Sequence, residues 1–388
     1  MKLLFKLHQN IEEIEQQWTK LGEQQQQFYF YQKPDWFKTI SQTLINKTNA
    51  KNNNKLYYIG IYQQSTLLGI IPIEYLQLKK FGLSLKVICF PTHSLLDLSD
   101  CLIHQSIQPF VLEELIKFLN NNKDLLWDVI FFSATPEYSC TNKLFANKHI
   151  KNYYCVKHGA SSFINCENTF EKTTAHISSK FKRNLKRLER KAEKQGELSY
   201  HTFLSQAKNQ NESEKVQQQF EQAYQDFLDI EADSWKSGTH TAIKCKQQSI
   251  QFYQQLAKNF QYPDNCLINI LKINNQAIAT QIGIIIGKQL NLLKIGFRQD
   301  YKSIGPGNII LSHTIKQAIQ HKNKQISTVT APRWAEKWKS DSVILYRHII
   351  FKASLSGFMA KLFFLLLPLL KKIRTKLERN SCLSQKHK

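Results

Sequence analysis

The chain has 388 residues, of which 42% are hydrophobic and 12% aromatic, so it is long and apolar enough for about two packed domains. Its 13 glycines and 9 prolines are too few for a fibrous or disordered chain. The formal net charge of +23 favours acidic partners such as nucleic acid, anionic lipid or a phosphate-rich cofactor. The eight cysteines form no CxxC pair, which argues against structural zinc and predicts reduced thiols in a cytosol.

The first half of the chain contains a predicted β-hairpin that has a counterpart in the second half. Residues 1–17 have too short an apolar run for a signal peptide, and we interpret them as a strand leading into a helix. A strand–turn–strand pattern occupies residues 56–73, and a similar one occupies residues 267–284. This likeness predicts two halves of related topology. The other predicted elements of the first half are strands at 85–90 and 127–133 and a helix at 107–119.

The second half opens with a long basic helix, predicted over residues 169–195 and closed by Gly196. Its apolar positions recur at helical spacing, so one stripe packs against the protein. The charged remainder either faces water or binds an anionic substrate, a lipid surface or RNA. The elements predicted after it are helices at 214–235, 247–259 and 308–320 and strands at 265–273, 277–287, 289–298 and 325–330. Helices interspersed with a mixed sheet place the chain in the α/β (α+β) class.

The C-terminal segment is apolar and then basic. Residues 353–370 are mostly apolar, are interrupted by Lys361 and Pro368, and are followed by several lysines and an arginine. A membrane-spanning helix needs about 20 apolar residues, so a spanning segment is not expected. Two interpretations remain open: an interfacial helix on an anionic membrane, or a helix docked against the protein's own body.

The most informative segment lies between a predicted strand that ends near Phe297 and the helix that follows. Lys302, Gly305 and Gly307 have the spacing K-x-x-G-x-G in this connection. The first N–H groups of a helix have no partner inside the helix, and its dipole adds positive charge there. Glycines let the backbone approach a phosphate closely. The segment therefore predicts a pyrophosphate-binding turn.

This segment resembles the acetyl-CoA loop of the GNAT superfamily, [Q/R]-x-x-G-x-G/A, with Lys302 where Arg or Gln is usual. The Gly305-Pro306-Gly307 sequence resembles the narrower family of CelD/BcsL-type (BioF2-like) acetyltransferases. Three further segments resemble that family: the aromatic and Pro-x-Trp segment, the basic central helix, and the E-x-x-x-W-K-x-G segment, at residues 29–37, 181–196 and 230–238. Together they cover roughly residues 28 to 340.

The resemblance implies two tandem GNAT-like lobes, each a mixed twisted sheet flanked by helices. A degenerate lobe would occupy residues 1–165, a cofactor-binding lobe residues 166–345, and a basic and apolar tail helix residues 346–388. It also implies N-acyl transfer from acetyl-CoA or another acyl-CoA to an amino group on a sugar or polysaccharide precursor. No metal and no nucleic acid are expected, and the expected location is the cytoplasm, with membrane contact through the tail.

The roles that such a transfer needs have candidates in the second half. Glu231 is the first candidate for the base and Asp233 the second, because both precede Trp235 at the end of a helix, where burial raises a carboxyl pKa. Tyr301 is the candidate proton donor to the leaving thiolate. The expected substrate contacts are Trp235 and Lys236. The expected cofactor contacts are Lys302, Gly305, Pro306, Gly307 and Asn308.

Two alternatives to this function remain. One is an aminoacyl-tRNA-dependent transferase of the FemAB type, which also has twin GNAT-like lobes and would use the positive charge for tRNA. The other is a non-catalytic GNAT scaffold that binds a membrane or glycan surface. The family also has an acidic residue and a Tyr-Lys pair near its end, where this chain has Ser327, Thr330 and Trp334-Ala335. The acceptor, the acyl chain and the oligomeric state are left open.

Overall fold

The structure, a computed structural model, describes residues 2–45, 54–80, 83–146, 150–206, 213–234, 242–260 and 263–365. Its α-helices are α1 Glu15–Glu23, α2 Pro34–Thr43, α3 Gln108–Asn121, α4 Cys140–Phe145, α5 Phe170–Thr173, α6 Ser179–Glu193, α7 Ser213–Ala232, α8 Gln247–Asn259 and α9 Pro306–Gln320. The described chain ends in helical residues 355–365. No helix of the described residues is long and apolar enough to cross a bilayer.

Thirteen strands of the described residues form one mixed sheet. They are β1 Leu4–His8, β2 Lys55–Gln63, β3 Thr66–Lys80, β4 Leu83–Cys89, β5 Leu102–Ile103, β6 Val129–Pro136, β7 Tyr153–Asn165, β8 Leu198–Leu204, β9 Asn265–Ile273, β10 Gln276–Ile286, β11 Gln289–Phe297, β12 Gln325–Ser327 and β13 Asp341–Phe351. The order is β1-β2-β3-β4-β6-β13-β7-β12-β11-β10-β9-β8, with β5 beside β3. The pairs β4–β6 and β11–β12 are parallel and the others antiparallel, which confirms the predicted α/β class.

The last strand of the chain joins the two halves of the sheet. On one side β13 pairs with β6, as at Ile349 and Phe131, and on the other with β7, as at Ser342 and Ser162. Residues 346–351, which the sequence analysis assigns to a tail helix, are therefore strand, and the predicted boundary after residue 345 falls inside β13.

Strand β13 escapes prediction because polar side chains interrupt its apolar run. The protein accommodates both of them. The Arg347 guanidinium lies 4.8 Å from the Phe131 ring centroid, and the His348 ring stacks on Phe145 at 4.5 Å. Strands β7 and β8 are likewise absent from the prediction, whereas the hairpins β2–β3 and β9–β10 confirm it.

Helices cover both faces of the sheet. On one face, α1, α2, α7 and α8 bury a single apolar cluster that contains residues of both halves, such as Trp36 of α2 against Phe252 of α8 at 5.5 Å. On the other face, α3 and α4 cover the first half, and α6 and α9 cover the second.

The basic helix predicted over residues 169–195 is two helices in the structure. Helix α5 ends at Thr173, and α6 begins after Ser178, whose hydroxyl accepts a hydrogen bond from the N–H of Phe181. This capping bond satisfies a free amide at the helix start, so the chain turns between them. The predicted helix at 247–259 is confirmed as α8, and the one at 308–320 as α9.

The helical residues 355–365 dock on the sheet with one side only. Phe364 lies 5.5 Å from Phe131 and 6.3 Å from Phe351. The opposite side exposes 80% of Leu355 and 55% of Phe358. The remainder of the predicted tail, residues 366–388, lies outside the described residues.

Candidate functional site

The parallel strands β11 and β12 separate after a short paired stretch. They pair from Gln289 and Gln325 to Asn291 and Ser327, and no further. The N–H of Thr328 then donates to the Ser162 carbonyl of β7, so the chain after β12 stays with β7 and leaves β11. From residue 292 to 297, the edge of β11 that faces β12 therefore has no strand partner among the described residues.

A β-bulge lies where this separation begins. Ile282 of β10 faces Lys294, while Gly283 faces Leu292, so Leu293 is an additional residue in β11. Bulges bend a strand and re-aim the side chains that follow. Val329, just beyond β12, has a φ of 59°, which a β-branched residue rarely adopts. Backbone strain of this kind collects at functional sites.

The turn after β11 leads into the start of α9. Residues Gln299–Ile304 form a 3-10 turn, and Gly305 follows with φ 63° and ψ 51°, a left-handed conformation that glycine adopts without strain. Pro306, which has no N–H, is the first residue of α9. The N–H of Asn308 donates to the Gly305 carbonyl at 3.0 Å. Among the described residues the N–H of Gly307 has no such partner, so it stays available to a ligand.

The two glycines of this turn differ in the free space around them. A Cβ atom added at Gly307 would meet only Phe297, at 3.7 Å, an ordinary contact. A Cβ atom added at Gly305 would meet Leu188 of α6 at 2.9 Å, which is too close. This contact and the left-handed backbone together favour glycine at 305. At 307 the space beside the backbone is open.

Helix α6, which is rich in lysine and arginine, packs next to this turn. Its Leu188 lies close to Gly305, and the Nζ of its Lys191 donates to the Ser303 carbonyl at 3.3 Å. A groove of about 540 Å³ runs along the exposed side of the helix. It is lined by Arg183, Lys186, Arg187, Arg190, Lys191 and Lys194. Six cations in one row, close to a helix N-terminus, create a strongly positive potential.

The predicted cofactor contacts lie together at this turn. Lys302 is exposed, Pro306 is buried, and Gly305, Gly307 and Asn308 are half-buried. The Oδ1 of Asn308 accepts a hydrogen bond from Nε1 of the buried Trp338 at 3.2 Å. That bond fixes the Asn308 side chain beside the helix start.

The first predicted base is buried, and its carboxylate already accepts a hydrogen bond. Glu231, with 0% exposure, accepts a hydrogen bond at Oε2 from the N–H of Ile243 at 2.7 Å. Its backbone lies directly against β11, because a Cβ atom at Gly296 would be 3.3 Å from the Glu231 Cα. Glu231 is therefore next to the strand gap, where it anchors the segment that leads into α8.

The other two predicted catalytic residues, Asp233 and Tyr301, form hydrogen bonds with different partners. Asp233 accepts from Nη1 of Arg298 at 3.1 Å, and the Nε of Arg298 donates to the Ala277 carbonyl. The hydroxyl of Tyr301 donates to Gln276 at 2.8 Å, which places it on the β10 side of β11 and away from the gap. The predicted substrate contacts Trp235 and Lys236 lie outside the described residues.

Two charged residues escape the sequence analysis. Asp97 belongs to a loop of the first half, and the ammonium of Lys294 in β11 acts on it electrostatically. Burial raises the pKa of Asp97, and the Lys294 ammonium lowers it by a smaller amount. No local pattern around Asp97 signals this position. Arg298 could have been found, because it directly follows β11 and precedes the glycine turn.

Comparison with known proteins finds a family model that is similar to the second half of the chain. Residues 179–340 match the family model of an acetyltransferase (GNAT) domain, which covers less than half of the chain. The match contains α6, the gap between β11 and β12, and the glycine turn. The second half of the chain is thus similar to acetyltransferase (GNAT) domains, which generally take an acyl-CoA as co-substrate. No curated protein sequence matches the chain.

The whole chain shares its fold with a solved structure. The crystal structure of FemX superposes with a TM-score of 0.58 at 8% identity, over 91% of this chain and 98% of that one. A tandem GNAT protein from the clavulanic acid biosynthesis pathway gives a TM-score of 0.45 at 6% identity, over 89% and 98% of the two chains. The C-terminal domain of a putative lysylphosphatidylglycerol synthetase from Agrobacterium fabrum gives 0.48 at 8% identity, over 91% and 97%.

Proposed function

We propose that this protein transfers an acyl group from acyl-CoA to an amino group, and that the reaction takes place at the gap between β11 and β12. The observation that carries the proposal is that the unpaired edge of β11 is followed, through the glycine turn, by a Gly307 N–H that has no backbone partner among the described residues. An unpaired strand edge offers hydrogen-bond partners to an extended amide-containing chain, and a helix N-terminus offers a site for a diphosphate. Coenzyme A carries both parts in one molecule.

The residues around the turn fit the phosphates of such a ligand. Gly307 supplies an N–H and space, Lys302 an exposed ammonium, and the α9 dipole a partial positive charge. The cations of α6 add a field that attracts a polyanion before it docks. Asn308, held by Trp338, is the remaining proposed contact.

The proposed acyl group is acetyl, and the proposed acceptor is an amine on a sugar or polysaccharide precursor. This substrate class rests on the resemblance to CelD/BcsL-type acetyltransferases, with Trp235 and Lys236 as proposed substrate contacts. The exposed apolar side of residues 355–365 supports a proposed peripheral contact with an anionic membrane. The proposed location is the cytoplasmic side of that membrane.

The alternative is an aminoacyl-tRNA-dependent transferase of the FemAB type. The fold shared with FemX over nearly the whole chain and the net charge of +23 agree with it. The glycine turn favours acyl-CoA instead, because its backbone conformation and open space suit a small diphosphate.

Thermal unfolding in the presence of each ligand separates the two functions. A ligand at 100 times its Kd stabilises the folded state by about 2.7 kcal/mol. We expect CoA to raise the Tm of the wild-type protein and a bulk tRNA preparation to leave it unchanged. Gly307→Val should fold yet show no CoA response, since its side chain occupies the phosphate site. A tRNA response without a CoA response would establish the alternative.

A further inference from the structure

A separate cavity of about 470 Å³ lies against the second half of α9, on the side of β8 and β9. Its volume is within the range of about 300–1,000 Å³ that is typical of small-molecule sites. The polar residues that line it include Tyr200, Thr202, Asn269, Thr314, Gln317 and Asn323. Gln317 lies about 15 Å along the α9 axis from Gly307, so this cavity is distinct from the glycine turn.

A row of polar side chains crosses the sheet under α9 and reaches this cavity. Thr202 of β8 pairs with Asn269 of β9, and Asn269 pairs with Gln281 of β10. Because directly opposed residues of neighbouring strands share one face of the sheet, these three side chains lie side by side. Thr202 donates from Oγ1 to Oδ1 of Asn269 at 2.7 Å, and Nδ2 of Asn269 donates to Oε1 of Gln281 at 3.2 Å. From α9, Oγ1 of Thr314 donates to Oε1 of Gln281 at 2.6 Å.

The innermost residue of this row has a polar atom that the protein does not satisfy. Gln281 is 0% exposed, and among the described residues its Nε2 has no hydrogen-bond partner. Asn269 and Thr314 both bond to the other amide atom, so exchanging nitrogen and oxygen would leave the oxygen unpaired instead. A buried polar group of this kind is normally satisfied by water or a ligand. Asn269 and Thr314 line the cavity, so such a partner would approach from there.

The cavity wall offers further hydrogen-bond donors. Gln317 accepts at Oε1 from Thr202 at 2.6 Å, but its NH2 group donates to no other group in the described parts of the chain. The same is true of the side-chain amide of Asn323, which is 9% exposed. Amides and hydroxyls together can donate to and accept from the same ligand.

The lining favours an uncharged ligand. Among the described residues that line the cavity none is acidic, and the exposed His321 is the only basic one, although the chain has 53 lysines and arginines. An ion that leaves water without an opposite charge beside it is costly. Leu204, Leu267 and Leu290 add apolar surface to the same lining. A sugar ring matches this combination, because its edge carries hydroxyls and its faces carry C–H groups.

We propose that this cavity binds a neutral saccharide. The NH2 groups of Gln317 and Asn323 donate to hydroxyl oxygens of the sugar, and the sugar donates in return to the Thr202 hydroxyl. The apolar faces of the ring pack on the leucines of the lining. The site is separate from the gap between β11 and β12, and the inference does not depend on the proposed acyl transfer.

Isothermal titration of the full chain with two pairs of sugars tests the ligand class. The pairs are glucose with glucuronate and galactose with galacturonate, and each uronate differs from its partner by a carboxylate at C6. We expect at least one neutral sugar to bind, and to bind about tenfold or more tightly than its uronate. The net charge of +23 would give the opposite order at a nonspecific site.

Two matched variants of α9 locate the binding. Gln317→Ala removes hydrogen bonds to the sugar, so we expect its affinity to fall about tenfold. Gln320→Ala makes the same change at an exposed position of the same helix outside the cavity lining, and it should bind as the wild type does. Thr202→Val keeps the side-chain shape without the hydroxyl and should also weaken binding. Urea unfolding of each variant confirms that it is folded.

The possible outcomes separate this site from the proposed function. The inference is overturned if no sugar binds, if the uronates bind as tightly as the neutral sugars, or if Gln317→Ala binds as the wild type does. The response of the wild-type protein to CoA decides the acyl transfer, and neither result of that measurement changes the conclusion about the saccharide.

Discussion

Substitution by alanine should have different effects on folding stability at two glycines of the same turn. Gly305 has a φ of 63° and a prospective Cβ contact of 2.9 Å with Leu188, whereas Gly307 is helical and has only Phe297 at 3.7 Å. A non-glycine residue in the left-handed conformation costs about 1–2 kcal/mol. Overpacking a buried leucine adds about 1–3 kcal/mol.

Gly305→Ala should therefore lower the free energy of unfolding by about 2–5 kcal/mol. Gly307→Ala should leave it unchanged or raise it by up to about 1 kcal/mol, because alanine is the better helix former. Both variants should bind CoA more weakly: the first through a distorted turn, the second through a methyl group in the phosphate site.

Urea unfolding followed by circular dichroism gives the stability of each variant, and isothermal titration with CoA gives its affinity. The two variants distinguish an effect on stability from an effect on ligand binding, since Gly307→Ala should lose CoA affinity without losing stability. Wild-type CoA affinity in a folded Gly307→Ala protein would refute the phosphate site. Wild-type stability of Gly305→Ala would refute the steric argument.

Three further predictions concern charge. Burial raises the pKa of Asp100 from 3.8 to about 6, so its folded form holds the proton more tightly than its unfolded form, and its contribution to stability should fall as the pH rises through that window in urea titrations. Asp100→Asn should cost about 2–3 kcal/mol at pH 7, because the amide NH2 that replaces one carboxylate oxygen cannot accept the hydrogen bonds that this oxygen now accepts, such as those from Cys140 and Gln32; an unchanged urea midpoint would contradict this. Replacing Arg187 and Lys191 by Gln should weaken CoA binding and flatten its dependence on salt, while unchanged titrations at low and high salt would exclude α6 from the site.

Local sequence patterns predict much of the second half correctly. The strand, glycine turn and helix around residues 289–320 are found as predicted, because the elements depend on neighbouring residues: β-rich runs, a left-handed glycine, and a proline that can begin a helix. The roles assigned to Lys302, Gly305 and Gly307 stay predictions until CoA binding is measured.

Other features depend on residues far apart in the chain. Nothing in the sequence around β13 shows that it lies between β6 and β7, because hydrogen-bond partners in a sheet follow from the fold and not from the local pattern. Sequence determined the elements and the turn, but only tertiary packing decided which side chains meet at the gap, since that depends on contacts between distant segments.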